Sequence, residues 1–500
     1  MMTTVVRLCR RAPLRATVVV ALLVSALLCS GCVRTKPAQP EIVAPPSWSA
    51  AGPDTVQSPM GDLSQWWTRL GDSVLSDLIA QALKKNTSLR TAQANLHEAR
   101  AERNYAAANR FPTITGTASG SGSAGNSPGG SGGNVFSAEL DAGWDPDVFG
   151  AKRQALRAAD ADLATSAADL QNARVSLIAE VATDYVDLRS YQTRLEIARR
   201  NEASQAETLQ LTEWRAQAGL VSSVDVEQAR SNLEQTRATI PTLETSAAQS
   251  KHELSVLLGL SPGALNTQLA ATAPIPSAPD TLMVGIPAET LRQRPDVRAA
   301  EQKIIAETAR LWQKDAARYP TFSLSGSFIL EQLLGGTAAG VVTGSTFTSL
   351  TANTTATGSG LGSITQTLFD RGRIRQQIEI QNAVQEQAVI SYESTVLNAL
   401  KDVENALVSF RNNRQRLQAL NEASEAARNA AQLAHNRYSA GLIDFQTVLD
   451  TEHTALTIED SVAQTKADRT NALIQLYKAL GGGWQADATI VTPGKQGNQT

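Results

Sequence analysis

Cysteine is nearly missing: three residues in 500, at positions 9, 29 and 32. That count excludes a disulfide scaffold and any four-cysteine zinc site. Histidine is almost as scarce, with four residues at 97, 252, 435 and 453, none in an HExxH or CxxC neighbourhood. No metal site and no cofactor beyond covalent lipid is therefore expected. His435 and His453 flank one glycine turn, but two histidines alone make a poor metal site and read as surface residues. Aromatic residues are only 5% of the chain, too few for a large core filled by rings. An excess of one charge is also lacking. The formal net charge is −3 and no long Lys/Arg run exists, which argues against a nucleic-acid partner. No Ser, Cys or Lys sits in an activating motif, so no catalytic residue and no enzyme is expected.

Long apolar runs are missing too. Arg7, Arg10, Arg11 and Arg15 precede a mostly apolar run of 13 residues, Ala16 to Leu28. A bilayer-spanning helix needs about 20, whereas this length suits the apolar region of a signal peptide. The run ends in Leu28-Cys29-Ser30-Gly31-Cys32, which resembles the bacterial lipoprotein box. The expectation is a signal peptide over 1–31 and a lipid anchor at Cys32, bearing N-palmitoyl and S-diacylglycerol groups. In a lipoprotein, Val33 after the cysteine fits sorting to the outer membrane. Prolines 37, 40, 45, 46, 53 and 59 read as an extended tether over 32–67.

What is present is a tandem repeat. Asn109-Arg110-Phe111-Pro112-Thr113 resembles Ala317-Arg318-Tyr319-Pro320-Thr321, 208 positions on, and Ala218-Gly219-Leu220 recurs as Ala440-Gly441-Leu442 at an offset of 222. The offset drifts by 14 along the chain. The first repeat is placed at 68–258, a Pro-rich connector at 259–286, the second repeat at 287–480, and a tail at 481–500.

Each repeat opens with a helix, 68–110 and 287–318, stopped by Phe111-Pro112 and Tyr319-Pro320 because proline pushes its predecessor out of the α region. The period then changes to two. Phe136, Ala138, Leu140, Ala142 and Trp144 alternate with Ser137, Glu139, Asp141 and Gly143, and Phe322, Leu324, Phe328 and Leu330 alternate with small polar residues. Such two-faced segments are the signature of transmembrane β-strands. Four are expected, at 113–122, 135–144, 321–330 and 358–368, with the Gly/Ser-rich run 116–133 as an external loop. Long helices over 151–214 and 373–438 follow, each turning at Gly219 or Gly441 into a return helix, 222–258 and 444–480. Leu400, Val403, Leu407, Phe410 and Leu417 trace a coiled-coil seam that Arg414 interrupts.

Four strands cannot close a barrel, and open sheet edges are not tolerated in lipid. Two copies would give 8 strands and a filled lumen. Three give 12 strands and a pore, so the expected fold is a mixed α and β membrane protein. It is a trimeric 12-stranded transmembrane β-barrel, four strands per chain, continuing into a periplasmic α-helical coiled-coil barrel.

Several motifs then carry a family resemblance. Leu291 to Glu301 resembles the RRPDVRAAE stretch of NodT-type lipoproteins, Trp144 to Gly150 resembles W-x-x-D-x-F-G, and Leu368 to Arg373 resembles L-F-D-x-G-R. On these the chain is identified as a member of the TolC/OprM-like outer membrane factor family. The resemblance implies a homotrimeric exit duct of a tripartite efflux pump in the outer membrane of a Gram-negative bacterium. It implies partners in a periplasmic adaptor (a membrane fusion protein), an inner-membrane pump and outer membrane lipid. It also implies a periplasmic aperture at Asp225 and Asp450, with Tyr438 as hydrogen-bond partner. Adaptor docking is expected at Gly219, Leu220, Val221, Gly441, Leu442 and Ile443. A type I secretion duct and a pore-less structural lipoprotein spanning the periplasm are the alternatives.

Overall fold

The computed structural model describes residues 45–50, 55–57, 63–123, 133–279, 282–284, 287–342 and 345–484. All lie in the unit that begins at Ile42. Cys32, the expected signal peptide and the tail beyond Trp484 lie outside the described residues. The elements in order are β1 (Thr55–Gln57), a 3-10 turn (Trp66–Leu70), α1 (Ser73–Lys85), α2 (Thr87–Ala108), β2 (Thr113–Ser123) and β3 (Gly133–Trp144). Then come α3 (Ala151–Gln217), α4 (Ser223–Leu257), β4 (Leu282–Val284), α5 (Pro287–Gln293), α6 (Pro295–Asp315), β5 (Thr321–Val342), β6 (Ser345–Thr365), α7 (Arg373–Ser439) and α8 (Phe445–Ala479).

The repeat is closely kept in three dimensions. Both long helices have 67 residues and both return helices 35, each pair 222 positions apart. Each long helix follows a left-handed glycine, Gly150 at φ 83° and Gly372 at φ 88°, a conformation that glycine adopts without steric cost. A glycine has no side chain to cap the helix, so an upstream aspartate does so. Asp147 accepts from the amides of Lys152 and Arg153 at 3.0 and 2.8 Å, and Asp370 from those of Gly372 and Ile374, both at 2.9 Å. These are the aspartates of the two motifs singled out in the sequence.

β2, β3, β5 and β6 form one antiparallel sheet in that order. Thr113 faces Gly143 across the first hairpin and Thr321 faces Thr365 across the second, so the hairpins match in register at their bases. The whole drift of 14 lies within the hairpins, between Thr113/Thr321 and Gly150/Gly372. There the structure corrects the expected strands. β5 and β6 run 22 and 21 residues, about twice the expected ten, and β6 stops at Thr365. Residues 331–357 lack apolar alternation, and Gly/Thr/Ser composition hides an extended strand. Residues 116–123 are also strand, not loop. Their glycines sit beneath large cross-strand neighbours: a Cβ on Gly120 would meet the Phe136 ring at 3.2 Å, and one on Gly116 would meet Leu140 at 3.4 Å.

α3 packs on α2 and α6 near its start and on α4 and α8 further along. Arg103–Asp160 and Arg310–Asp162 pair at the first level; Arg199–Glu244 and Arg194–Asp460 pair at the second. Val403, Leu407 and Phe410 of the expected seam are buried.

Two further expectations need correction. The segment 32–67 is not a free tether where it is described. Trp48, Leu63, Trp66 and Trp67 are buried in the main core, because indole rings gain too much by burial to stay in water. The amides of Ser49 and Ala50 donate to the two oxygens of Glu404 on α7 at 2.7 and 2.9 Å, and β1 pairs in parallel with β4 of the connector. The opening helix 68–110 is in fact α1 and α2, broken at Asn86. Asn86 accepts from the Leu89 amide at 2.9 Å to cap α2. Its side-chain amide donates to the Leu257 carbonyl at 2.9 Å, at the end of α4. The repeat equivalent of Asn86 is Arg294, between α5 and α6. Its Nη1 donates to the Ala479 carbonyl at 2.9 Å, at the end of α8. One residue thus splices each stacked pair of helices.

Candidate functional site

Each helical tip is a tight turn fixed by glycine. Gly219 and Gly441 have φ 73° and 75°. Leu220 donates to the Arg215 carbonyl and Leu442 to that of Arg437, both at 2.9 Å, a Schellman closure that only a left-handed residue permits. Leu220 and Leu442 are exposed, Leu442 by 73%. Val221 and Ile443 are half-buried. Val224 and Trp214 add exposed apolar surface beside the first turn.

Asp225 is half-buried and forms a capping box: its Oδ2 accepts from the Ser222 amide at 2.9 Å and the Ser222 hydroxyl at 3.0 Å. Asp450 is exposed and accepts from the Gln446 side chain at 2.9 Å. A third tip carboxylate, missed in the sequence, is Asp444. It caps α8 by accepting from the Thr447 hydroxyl at 2.5 Å and the Thr447 amide at 3.0 Å. Those two bonds hold its carboxyl below the usual range. Thr447 serves that cap through both its amide and its hydroxyl.

Tyr438 departs from its expected role. It is 1% exposed and packs among Ala229, Ala434, Phe445 and Val448. Its ring lies 4.4 Å beneath the Arg215 guanidinium, and Arg215 Nη1 donates to the Tyr438 carbonyl at 2.5 Å. An aromatic ring on the inner face of its helix is drawn into the apolar contact between the two hairpins, and its hydroxyl lies 3.4 Å from that of Thr212 on α3. His453 is exposed, whereas burial raises the carboxyl of Glu452 on α8, opposed in part by the hydrogen bond from Thr208 and by nearby His435. Among the described residues no group of three or more His, Cys, Asp or Glu converges to hold a metal ion.

Higher on α3, burial raises the Asp184 carboxyl to about 7, aided by Glu253, Glu180 and Asp187. An acid neutral in the fold but ionised when unfolded contributes its full stability below pH 4 and loses it as pH rises through 7. Asp184→Asn is therefore expected to stabilise the fold at pH 8 by about 1–2 kcal/mol after solvent screening, seen as a higher Tm, and to leave Tm unchanged near pH 4. Thermal melts at the two pH values measure this.

The sheet has one apolar and one polar face. Ile114, Phe136, Leu140, Trp144, Leu324, Phe328 and Leu330 share the first and are exposed. On the second, hydroxyls pair across strands: Ser119 with Ser137 at 2.7 Å, Ser323 with Ser363 at 2.6 Å and Ser327 with Ser359 at 2.7 Å. Where the strands meet the helices, rings gather: Phe149 stacks on Tyr319 at 4.8 Å, and Phe111, Leu368 and Phe369 are exposed. That is the arrangement of an aromatic girdle at a membrane interface. No helix among the described residues is long and apolar enough to cross a membrane.

An exposed, two-faced sheet leading into long helical hairpins defines a subunit of an outer-membrane duct. The comparisons name its family. The model for "Outer membrane efflux protein" matches residues 78–260 and 286–482. The pyoverdine export outer membrane protein OpmQ of Pseudomonas aeruginosa is 31% identical over 93% of this chain and 97% of its own length. Nodulation protein T of Rhizobium leguminosarum bv. viciae is 30% identical over 92% of each chain. The solved outer-membrane channel OprN is 35% identical, covers 89% of this chain and 99% of its own, and superposes with a TM-score of 0.76. The chain belongs to the outer membrane efflux protein family. It is an outer-membrane channel component of an efflux pump, reaches into the periplasm, and is not an enzyme.

Proposed function

We propose that three copies close a 12-stranded barrel through their β2 and β6 edges and form a passive exit duct for small toxic compounds in a tripartite pump. The carrying observation is a four-stranded sheet with one apolar and one polar face, whose outer strands β2 and β6 each pair on one side only. Unpaired edges are costly in lipid, and a spacer without a pore has no use for a face lined by serine hydroxyls. Relatives named for export of pyoverdine and toluene support efflux. The exposed Leu220 and Leu442 turns suit docking of a periplasmic adaptor, which hands over from an inner-membrane pump. Cys32 carries the N-palmitoyl and S-diacylglycerol anchor.

In the assembled duct, Asp225 and Asp450 ring the periplasmic aperture, joined by Asp444. Carboxylate rings attract multivalent cations. Trivalent cation added from the periplasmic side is expected to block single-channel current in a planar bilayer. Asp225→Asn with Asp450→Asn should relieve that block while trimers persist, because an asparagine oxygen at 225 still accepts from the Ser222 amide and Asp450 lies exposed within α8. Equal block of wild type and double variant overturns the aperture assignment. Absence of any conductance by a purified trimer overturns the duct.

A further inference from the structure

The strand order and helix contacts of one chain place the two repeats side by side, with α8 of the second repeat against α3 of the first. One seam between repeats is thus internal. A ring of repeats needs a second seam, in which α4 of one copy meets α7 of the next and β2 meets β6. We propose that this seam between copies reproduces the internal one by repeat equivalence, with Glu422 of one copy bound to Arg237 of the partner subunit. This deepens the trimer reading and rests on it.

Across the internal seam, Arg200 of α3 reaches Glu459 of α8 at 2.5 Å. Glu459 is also held within its own hairpin by Arg428 of α7. Shifting each residue by the helix offset of 222 carries Arg200 to Glu422 and Glu459 to Arg237. The pair is kept and its polarity is reversed. Arg428, which holds Glu459, falls on Ala206 in the first repeat, so Arg237 is held by different residues, which are again of opposite charge. Arg237 is held within its own hairpin by Glu202 of α3 at 2.9 Å and by Glu234 at 2.7 Å, through Nε and Nη1. Its Nη2 remains to meet the acid from across the seam. Glu422 is exposed in the single chain. A second link transfers too: Asn471 donates to Asp187 at 2.7 Å, and their equivalents, Gln249 and Ser409, keep hydrogen-bonding side chains and are exposed in the single chain.

Burial supports the same equivalence. Val186 and Val175 of α3 are 0% and 3% exposed, whereas their α7 equivalents, Val408 and Leu397, are 37% and 61% exposed. Core residues of the first repeat thus recur as bare apolar surface on the second, as expected of a face covered by another copy. The sheet follows suit. β3 pairs with β5 with Gly143 opposite Ser325. The offsets of 222 and 208 then set Thr365 of β6 opposite Thr117 of the partner subunit, and Ile364 and Ala118 stay on the apolar face.

The test uses the full chain with Glu422→Cys and Arg237→Cys, treated with a short bis-maleimide in detergent. Covalent dimers and trimers are expected from the double variant and none from either single variant. Arg194→Cys with Asp460→Cys, a pair bonded at 2.7 Å within one chain, should crosslink internally and reports that the chain has folded. Light scattering supplies the oligomeric state. Trimers without the intermolecular crosslink overturn the seam and leave the trimer standing. A folded monomer overturns both. As a second arm, Glu422→Arg should lose the detergent-resistant trimer, and Glu422→Arg with Arg237→Glu should recover it. Failure of the double reversal to exceed the single also counts against the seam.

Discussion

Leu324→Arg is expected to abolish assembly in the outer membrane, whereas Ser325→Arg, one residue on, should assemble and only alter conductance. Adjacent residues of β5 point to opposite faces. Leu324 stands on the apolar face opposite Trp144 and Gly362, and Ser325 on the hydroxyl-bearing face opposite Gly143 and Leu361. Arginine on a lipid-facing strand position costs about 2–4 kcal/mol near the bilayer midplane. A folded protomer is also not rescued by rotating the strand, since a one-residue slip would turn every side chain of β5 over. Three copies would carry the substitution, so the cost falls three times on one barrel. Leu324 has a local role too: a Cβ on Gly362 would lie 3.4 Å from its methyl, so this leucine covers the bare glycine run of β6. The measurement is the heat-modifiable trimer band in isolated outer membranes, followed by single-channel conductance for whatever assembles. Equal behaviour of the two variants would show that the faces are misassigned.

The parts legible in the sequence were those with strong punctuation. The long helices begin and end within three residues of the expected positions because glycine and proline bracket them and nothing interrupts them inside. β3 and the first half of β5 were legible from apolar alternation. The outer half of β5 and β6 was not, since threonine, serine and glycine serve both faces and leave no period to detect. Asn86 was also silent. An asparagine in a helical pattern looks tolerable, and its role as a cap depends on the Leu257 carbonyl, 171 positions away. The docking of Trp48, Trp66 and Trp67 was hidden by neighbouring prolines that read as linker, although the indoles themselves were the available signal. At the tips Asp225 and Asp450 were found, but their local bonds and the third acid, Asp444, were not. Asp225 and Asp444 are helix caps whatever else they do, and Tyr438 is core. The Arg294 motif was legible only as a resemblance, and the structure supplies its physics.

That physics yields the second large effect. Arg294→Ala is expected to destabilise the chain by about 2–4 kcal/mol, more than Asn86→Ala at the equivalent splice, which should cost about 1–2 kcal/mol. Arg294 is nearly buried and makes three kinds of contact. It donates to both oxygens of Asp296, at 3.0 and 2.6 Å, lies 3.5 Å from Asp402 of α7, and caps the last turn of α8 through the Ala479 carbonyl. Its backbone also lies where a Cβ on Gly481 would come within 3.3 Å, so the two chain segments touch with no room to spare. Truncation leaves two carboxylates facing each other across a cavity of about 570 Å³ lined by α3, α6, α7 and α8. Partial exposure of both acids lets water take up part of that cost, which keeps the estimate below that of a fully buried charge. Asn86 loses only one cap and one carbonyl partner. Arg294→Lys should recover little, because an ammonium is a point charge and cannot reach a bidentate carboxylate and a helix-end carbonyl together. Thermal unfolding of the detergent-solubilised protein, read by far-UV circular dichroism, ranks the three variants. A lysine variant as stable as wild type would mean that net charge at the splice suffices, and that the forked geometry is incidental.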